Sequence, residues 1–134
     1  MIIEFKIEHL KDMDATHLAG MDLSAYQHVD GPAVTFIKDD KIIGCGGIHR
    51  LWSGVGEAWL ILSEHSFECP ITIVRQTLRN FKTMINGYHR IQANVLEGFD
   101  RGVQFVNAFG FVLEGKMEQY GPNKENYYRY VILR

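Results

Sequence analysis

Residues that could bind a metal ion or act as nucleophiles are scattered along this chain. The sequence contains six histidines, and no two of them have the spacing of a metal-ligand pair. His65 and Cys69 form an H-x-x-x-C pattern, which is one pair at best and is more often structural or incidental. No Ser-His-Asp or Cys-His set can be assembled from the order of the residues. We therefore expect neither a metal site nor a catalytic triad.

A glycine-rich run, Gly44-Cys45-Gly46-Gly47, is a second candidate for chemistry, because glycine loops can bind phosphate through backbone N–H groups. Such loops come directly before a helix. This run lies inside a predicted strand instead, where glycine typically marks a bulge or a close approach of two segments. We therefore predict a packing role for these glycines.

The composition is that of an ordinary globular domain. The chain has 134 residues, enough for one buried core, and we expect a single domain over residues 1–134. A formal charge of −2, without a basic run, argues against nucleic acid and anionic membranes as partners. No apolar run approaches the roughly 18 residues of a membrane span, and Glu4 and Glu8 are unlike a signal peptide. Two cysteines without CxxC spacing indicate a reduced, cytoplasmic setting.

The first half of the chain is predicted to contain mostly strands. Ile3, Phe5 and Ile7 alternate as a first strand. The segment EAWLILS at 57–63 is too apolar for a half-exposed strand and is typical of a central one. The other expected elements are a helix capped by Asp12 or Asp14 with Leu18 and Met21 on its apolar side, a helical turn at 23–26, strands at 33–37 and 41–49, and a turn at 53–56.

The second half is predicted to alternate helices and strands. Pro70 suits the first turn of a long helix that ends at Gly87. The segment from Arg90 to Glu118 then follows a strand, helix, strand pattern, and Gly110 stands where a left-handed cap would end its helix. The apolar stripe of the first helix is Ile71, Val74, Leu78, Phe81 and Ile85, and that of the second is Phe99, Val103, Val106 and Phe109. Two strands are marked by Ile91, Ala93 and Val95 and by Phe111 and Leu113. A last strand at 127–133 follows the turn Gly121-Pro122-Asn123.

Three segments and this order of elements resemble the GNAT acyltransferase superfamily. Gly110 to Gly115 resembles the "LGF…EG" segment after the last helix of the family. Glu57 to Leu60 resembles the fourth strand, and Ala93 to Val95 resembles the fifth. The resemblance covers essentially the whole chain. It implies an α/β (α+β) fold with a mixed, mostly antiparallel sheet of six to seven strands and about four helices on both faces.

The same resemblance implies a cofactor and candidate site residues. Members use acetyl-CoA, whose pantetheine arm pairs with backbone groups where strands four and five separate; here these would be Ile61, Leu62 and Ser63. Glu57 corresponds to the carboxylate that often serves as general base, and the alternative is an exposed carboxylate at a strand end. His49 could lie beside it or be an ordinary surface histidine. Tyr120 could line the acceptor pocket or form an aromatic packing stripe with Tyr127, Tyr128 and Tyr130.

Two departures from the family pattern weaken the catalytic interpretation. The phosphate pattern Arg/Gln-x-x-Gly-x-Gly/Ala is replaced by residues 66–71, which lack both glycines, carry Glu68 and place Pro70 where a backbone donor is expected. Arg75, just over one turn into the helix, could supply the countercharge. The usual Asn and the general-acid Tyr of the last helix correspond to Phe99 and Val106.

Two functions therefore stay open. One is an acetyl-CoA-dependent N-acyltransferase that acts on an unidentified small-molecule or peptide amine. The other is a GNAT-like module without catalysis that binds a protein partner; the E-A-W-L strand and the altered loop also resemble small GNAT-like proteins of tailed bacteriophages, which would place the chain in a virion. A strand gap filled by Trp59 or Phe99 would favour the second function. The tyrosine-rich last strand is a candidate sheet edge at which a homodimer could form.

Overall fold

The computed structural model describes residues 1–13, 30–68 and 70–134. The described elements follow the chain in this order: β1 (Ile2–Glu4), α1 (Ile7–Lys11), β2 (Ala33–Lys38), β3 (Lys41–Trp52), β4 (Val55–Leu62), a short 3-10 helix (Glu64–Glu68), α2 (Pro70–Met84), β5 (Arg90–Leu96), α3 (Asp100–Ala108), β6 (Val112–Met117) and β7 (Tyr127–Leu133). No helix within these described ranges is long and apolar enough to cross a membrane.

Seven strands form one mixed sheet in the order β1-β2-β3-β4-β5-β7-β6. Neighbouring strands are antiparallel except β4 and β5, which are parallel. Their register pairs are Val55–Arg90, Gly56–Ile91 and Glu57–Gln92, and the pairing ends there. Because β4 continues to Leu62 and β5 to Leu96, the two strands separate beyond Glu57. We call the resulting opening the strand gap.

The back face of the sheet is the one that α2 and α3 cover. Alternate residues of the central strands, such as Ile48, Ile91 and Val95, pack there with Phe81 of α2 and Val106 of α3. Since successive side chains of a strand point to opposite faces, this explains the period of two in the sequence. Fully burying each such aliphatic side chain stabilises the fold by about 1.5–3 kcal/mol.

The front face carries a smaller apolar cluster and α1. Leu10 of α1 packs with Cys45, Ile61 and Met13, while Phe5 and Trp59 lie at the border of the cluster. With helices on both faces, the predicted fold class is confirmed. The rest of the front face carries the polar residues Gln92 and Asn94 of β5 and Arg129 of β7, which are linked by hydrogen bonds to Glu57 or to each other.

The glycine-rich run in β3 is a site of close packing, as predicted. A Cβ at Gly44 would lie 2.9 Å from Leu62 Cδ2, and one at Gly47 would lie 2.8 Å from Ala33 Cβ. Gly56 in β4 is equally close to its neighbours, because a Cβ there would lie 2.5 Å from Ile48 Cγ2.

The N-terminal prediction is partly wrong. The first strand ends at Glu4, and Ile7 begins α1 instead of continuing the alternation. Asp12 is the C-cap residue of α1, and the helix expected to begin at Asp12 or Asp14 would lie beyond the described residues. The alternation of Ile3, Phe5 and Ile7 suggested a continuous strand because Phe5 and Ile7 both pack against the front cluster. Phe5 follows the end of β1, whereas Ile7 is the first residue of α1. The expected helix with Leu18 and Met21 and the turn at 23–26 fall outside the described residues.

Several expected boundaries also move. The turn after β3 is confined to Ser53 and Gly54, because Val55 and Gly56 already pair with β5. Pro70 begins α2 as predicted, but Ile71 is 67% exposed and does not belong to the buried stripe. Phe99 is the N-cap residue of α3 and is 49% exposed, and Leu113 of β6 is 57% exposed. The strand marked by Ile91, Ala93 and Val95 is confirmed as β5, and the last strand at 127–133 is confirmed as β7.

The tyrosine-rich strand β7 is not a sheet edge. It pairs with β5 on one side and with β6 on the other, and β1 and β6 are the edges of the described sheet. The expectation that a second copy pairs with β7 is therefore wrong, because both hydrogen-bonding sides of β7 are already used. Tyr128 and Tyr130 pack into the back-face core.

Candidate functional site

The strand gap exposes backbone groups of β4. Ser63 donates its N–H to the Ile43 carbonyl at 2.8 Å, so Ser63 faces β3. Backbone groups alternate in direction along a strand, and those of Leu60 and Leu62 therefore point away from β3, towards the gap. An extended ligand with amide groups could add there as an extra strand.

The residues expected to line a cofactor arm lie along this part of β4. The Ile61 side chain is buried in the front cluster, and Leu62 packs on the back face beside Phe36 and Ile43. Ser63, just after β4, is fully buried, and its Oγ has no hydrogen-bond partner within the described ranges. A buried hydroxyl without a partner is uncommon, because its desolvation is not compensated. Ser63 Oγ therefore has hydrogen-bonding capacity that the described residues do not use.

Two aromatic residues were candidates for closing the strand gap. Trp59 packs edge-on against Phe5, with ring centroids 5.1 Å apart, on the side of α1. Phe99 is the N-cap residue of α3 and is half exposed.

Glu57 lies where β4 and β5 separate, and it is half-buried. Its Oε1 accepts hydrogen bonds from Asn94 Nδ2 at 2.8 Å and from Gln92 Nε2 at 3.2 Å. Oε2 has no hydrogen-bond partner among the described residues. One oxygen is therefore held by two neutral amides, while the other is free to accept a proton.

The neighbours of Glu57 include both residues suggested by sequence. His49 is its direct register partner on β3, and His49 Nδ1 accepts the backbone N–H of Asp30 at 3.0 Å. The Tyr120 hydroxyl accepts a hydrogen bond from Asn94 Nδ2 at 3.3 Å. The Tyr120 ring also packs edge-on against Tyr127 at 5.3 Å. Tyr120 and Tyr127 thus form a front-face pair, separate from the tyrosines in the back-face core.

Three residues of this network were missed by sequence reasoning: Gln92, Asn94 and Arg129. Arg129 Nε donates to Asn94 Oδ1 at 3.2 Å. The sequence did indicate two of them, because Gln92 and Asn94 alternate with the apolar residues of β5 and so form a polar row on the opposite face. That row alone does not reveal that Glu57 and Arg129 lie across from it.

An ion pair extends the polar row towards the sheet edge. Arg90 donates two hydrogen bonds to the Glu114 carboxylate, one of them 2.8 Å long, and a third to Gln92 Oε1 at 3.2 Å. The guanidinium of Arg90 lowers the pKa of Glu114, and the bond to Glu114 raises the pKa of Arg90. Both groups are therefore charged at neutral pH and largely neutralise each other.

The segment expected to bind phosphate begins as a 3-10 helix. The backbone N–H of Ser66 donates to the Ser63 carbonyl at 3.1 Å, and the Ser66 Oγ is buried without a hydrogen-bond partner in the described part of the chain. Arg101 of α3 donates to the Ser66 carbonyl at 3.3 Å. Arg101 therefore places a cation at this loop, which the sequence analysis did not anticipate. Arg75 is exposed on α2.

Two further positions named from the sequence are Val106 and the His65–Cys69 pair. Val106, at the position of the usual general acid, is buried in the back-face core. Within the described ranges, no group of three or more His, Cys, Asp or Glu side chains is arranged to hold a metal ion. Cys69, the partner proposed for His65, falls outside those ranges.

Comparison with known proteins identifies the fold. Neither the family models nor the curated protein sequences give a match. Among solved structures, an acetyltransferase of the GNAT family from Bacillus anthracis is similar, with 15% identity, a TM-score of 0.73, and 98% and 93% of the two chains covered. The ribosomal-protein-S5-alanine acetyltransferase from Vibrio fischeri has 17% identity and a TM-score of 0.71 over 98% and 91%.

A third similar structure is a chimera built from the spermidine N-acetyltransferase of Vibrio cholerae, with 14% identity and a TM-score of 0.74 over 99% and 95% of the two chains. All three identities are low, and all three alignments span nearly the whole chain. The likeness therefore concerns the fold, and the resemblance noted in the sequence is confirmed at that level: the chain has the fold of the GNAT acetyltransferases.

Proposed function

We propose that this chain is an acetyl-CoA-dependent N-acyltransferase in which Glu57 is the general base for an amine acceptor. The observation that carries the proposal is the position of the Glu57 carboxylate at the strand gap, with one oxygen held and one free. The GNAT fold supports it, because the similar structures are acetyltransferases.

The residues at the strand gap fit an extended cofactor arm. The segment Ile61, Leu62 and Ser63 would hold the arm, through the free backbone groups of Leu62 and the unpartnered hydroxyl of Ser63. Arg75, exposed on α2, and Arg101, which donates to the Ser66 carbonyl, would attract its phosphates. When bound, acetyl-CoA supplies an acetyl group activated as a thioester.

Glu57 would act on the acceptor. A primary amine is mostly protonated at neutral pH and cannot attack until it has lost a proton. Glu57 Oε2 accepts that proton, directly or through one water, while Asn94 and Gln92 keep the carboxylate in place. General-base catalysis of this kind typically contributes about 10²–10⁴-fold to the rate.

A second candidate is a GNAT-fold module that binds a protein partner without catalysis. It is favoured by the 66–71 segment, which begins as a 3-10 helix, lacks the glycines of a phosphate loop and contains Pro70, which has no N–H to donate. The two candidates differ in whether acetyl-CoA binds.

Thermal unfolding with and without acetyl-CoA tests the proposal. A ligand at one hundred times its dissociation constant stabilises by about 2.7 kcal/mol, which raises the Tm of a domain of this size by several degrees. We expect that rise in the wild type and in Glu57→Gln. We expect a smaller rise in Arg75→Ala and Arg101→Ala, with Arg79→Ala as the matched control on the exposed side of α2.

Thiol release from acetyl-CoA with a panel of amines completes the test. Glu57→Gln should slow acetylation by about 10²–10⁴-fold while the cofactor-induced rise in Tm persists. No rise in Tm at millimolar acetyl-CoA would reject the enzyme and favour the binding module.

A further inference from the structure

We infer that Arg129, positioned by Asn94, forms a subsite for a carboxylate of the acceptor, so that the preferred acceptor is a primary amine that also carries a carboxylate. The inference rests on the proposed function, because it names the acceptor class of that same site. It starts from a guanidinium that the described residues leave incompletely paired.

Arg129 lies in β7, inside the sheet, and is half-buried on the polar part of the front face. Its Nε donates to Asn94 Oδ1 at 3.2 Å. No carboxylate of the described residues forms an ion pair with it, and its two terminal amino groups have no hydrogen-bond partner there. Leaving a partly buried charge uncompensated is costly, which points to a function for this group.

Glu114 is a carboxylate near Arg129, but it is already bound by another residue. Glu114 is close enough to Arg129 for that charge to contribute to lowering the pKa of Glu114. Its two carboxylate oxygens are, however, both bound by Arg90. Because the Arg90–Glu114 pair is nearly neutral as a unit, Glu57 and Arg129 are the charges of this network that remain for a ligand.

Asn94 sets the distance between those two charges. Its Nδ2 donates to Glu57 and its Oδ1 accepts from Arg129. The carboxylate and the guanidinium therefore lie on the same face of the sheet, on either side of the Asn94 carboxamide. A ligand with an ammonium group at Glu57 and a carboxylate at Arg129 complements both charges. The planar fork of arginine suits a carboxylate because it can donate two parallel hydrogen bonds.

The same arrangement disfavours acceptors with several ammonium groups. A second ammonium group near Arg129 would meet a like charge, which is a common device for excluding unwanted ligands. A polyamine of the spermidine type is therefore a poor acceptor in this interpretation. Tyr120, half exposed beside Asn94, limits the space on the outer side.

The test compares acceptors that share an amine and differ in one charge. With the wild type and acetyl-CoA, we expect kcat/KM for β-alanine to exceed that for β-alaninamide by about tenfold to a hundredfold, the range for one charge-assisted contact. Putrescine should be the poorest of the three. In Arg129→Gln the preference should disappear through a higher KM for β-alanine.

Two further variants separate this role from a structural one. Arg129→Lys keeps the charge and should restore part of the preference, whereas Arg79→Gln on α2 should leave all constants as in the wild type. The Tm of each variant checks that it is folded. An equal kcat/KM for β-alanine and β-alaninamide in the wild type would overturn the inference and leave the proposed function standing.

Calorimetric titration decides the case in which no amine is acetylated. Tighter binding of β-alanine than of β-alaninamide to the wild type, lost in Arg129→Gln, would support the carboxylate subsite even though the proposed function had failed. Equal binding, or no binding of either compound, would reject the subsite as well.

Discussion

Glu57 and Cys45 both lie on the front face of the sheet, and their surroundings make only one of them available for chemistry. Glu57 is half-buried and has a free oxygen at the strand gap. Cys45 is fully buried, and its thiol lies 3.4 Å from the Thr35 hydroxyl. Burial raises the pKa of the Cys45 thiol to about 11. In the proposed reaction we therefore expect direct transfer to the amine, without an acyl-cysteine intermediate on Cys45.

The raised pKa of Cys45 makes a prediction about reactivity. At pH 8 only about one thiol in a thousand would be ionised, since each pH unit below the pKa lowers the thiolate fraction tenfold. In a Cys69→Ser background, Cys45 should not react with a disulfide reagent in the native protein and should react stoichiometrically in urea. Rapid labelling of the native protein would show that the thiol is accessible.

At the scale of elements, the turn from α3 into β6 is formed by backbone hydrogen bonds. Gly110 has φ 88°, in the left-handed region. Its N–H donates to the Asn107 carbonyl at 3.1 Å, and the N–H of Phe111 donates to Val106 at 3.0 Å. This is the Schellman pattern, in which a left-handed residue lets two otherwise unpaired carbonyls of the last turn be satisfied. It also directs Phe111 into the core beneath α3.

The turn predicts how Gly110 tolerates substitution. No atom lies within 4 Å of a Cβ built there, so the cost of a side chain comes from the backbone alone. Gly110→Ala should lower the free energy of unfolding by about 1–2 kcal/mol, and Gly110→Asn should cost less because asparagine tolerates this conformation. Urea unfolding measures both. Gly115→Ala, with equally open space and no positive φ, is the control; an equal loss there would contradict the explanation.

At the scale of the whole molecule, a polar row crosses the sheet from its centre to its edge. Glu57 of β4 is linked to Gln92 and Asn94 of β5, and Arg90 of β5 reaches across β7 to Glu114 of β6. The Arg90–Glu114 pair thus holds an edge strand to an interior strand with which it does not pair directly. The candidate site is supported by the same connection.

This pair predicts a loss of stability in acid. The pKa of Glu114 is lowered from its ordinary value of 4.5, so its contribution is fully present above pH 4.5 and is lost as pH falls through the lower, folded-state value. Glu114→Gln should therefore be less stable than the wild type at pH 7, and the difference should shrink steadily below pH 4.5. Urea unfolding at several pH values measures it. Glu4→Gln, which removes another exposed strand carboxylate, is the control.

The sequence by itself determined most of the elements, because their signals are local. The alternation of Ile91, Ala93 and Val95, the proline that begins α2 and the glycine that ends α3 act over a few residues, and each was predicted correctly. Ile7 shows the limit of such signals, because an alternating apolar residue can serve a helix that packs on the same cluster.

Only the tertiary structure decided the composition of the site. Glu57, Asn94 and Arg129 lie on three strands, and their contacts depend on the register of β4 with β5 and of β5 with β7. A shift of one residue in either pairing would turn a strand's side chains to the other face. The edge position of β6, the interior position of β7 and the strand gap likewise follow from strand order, which no local pattern in the sequence encodes.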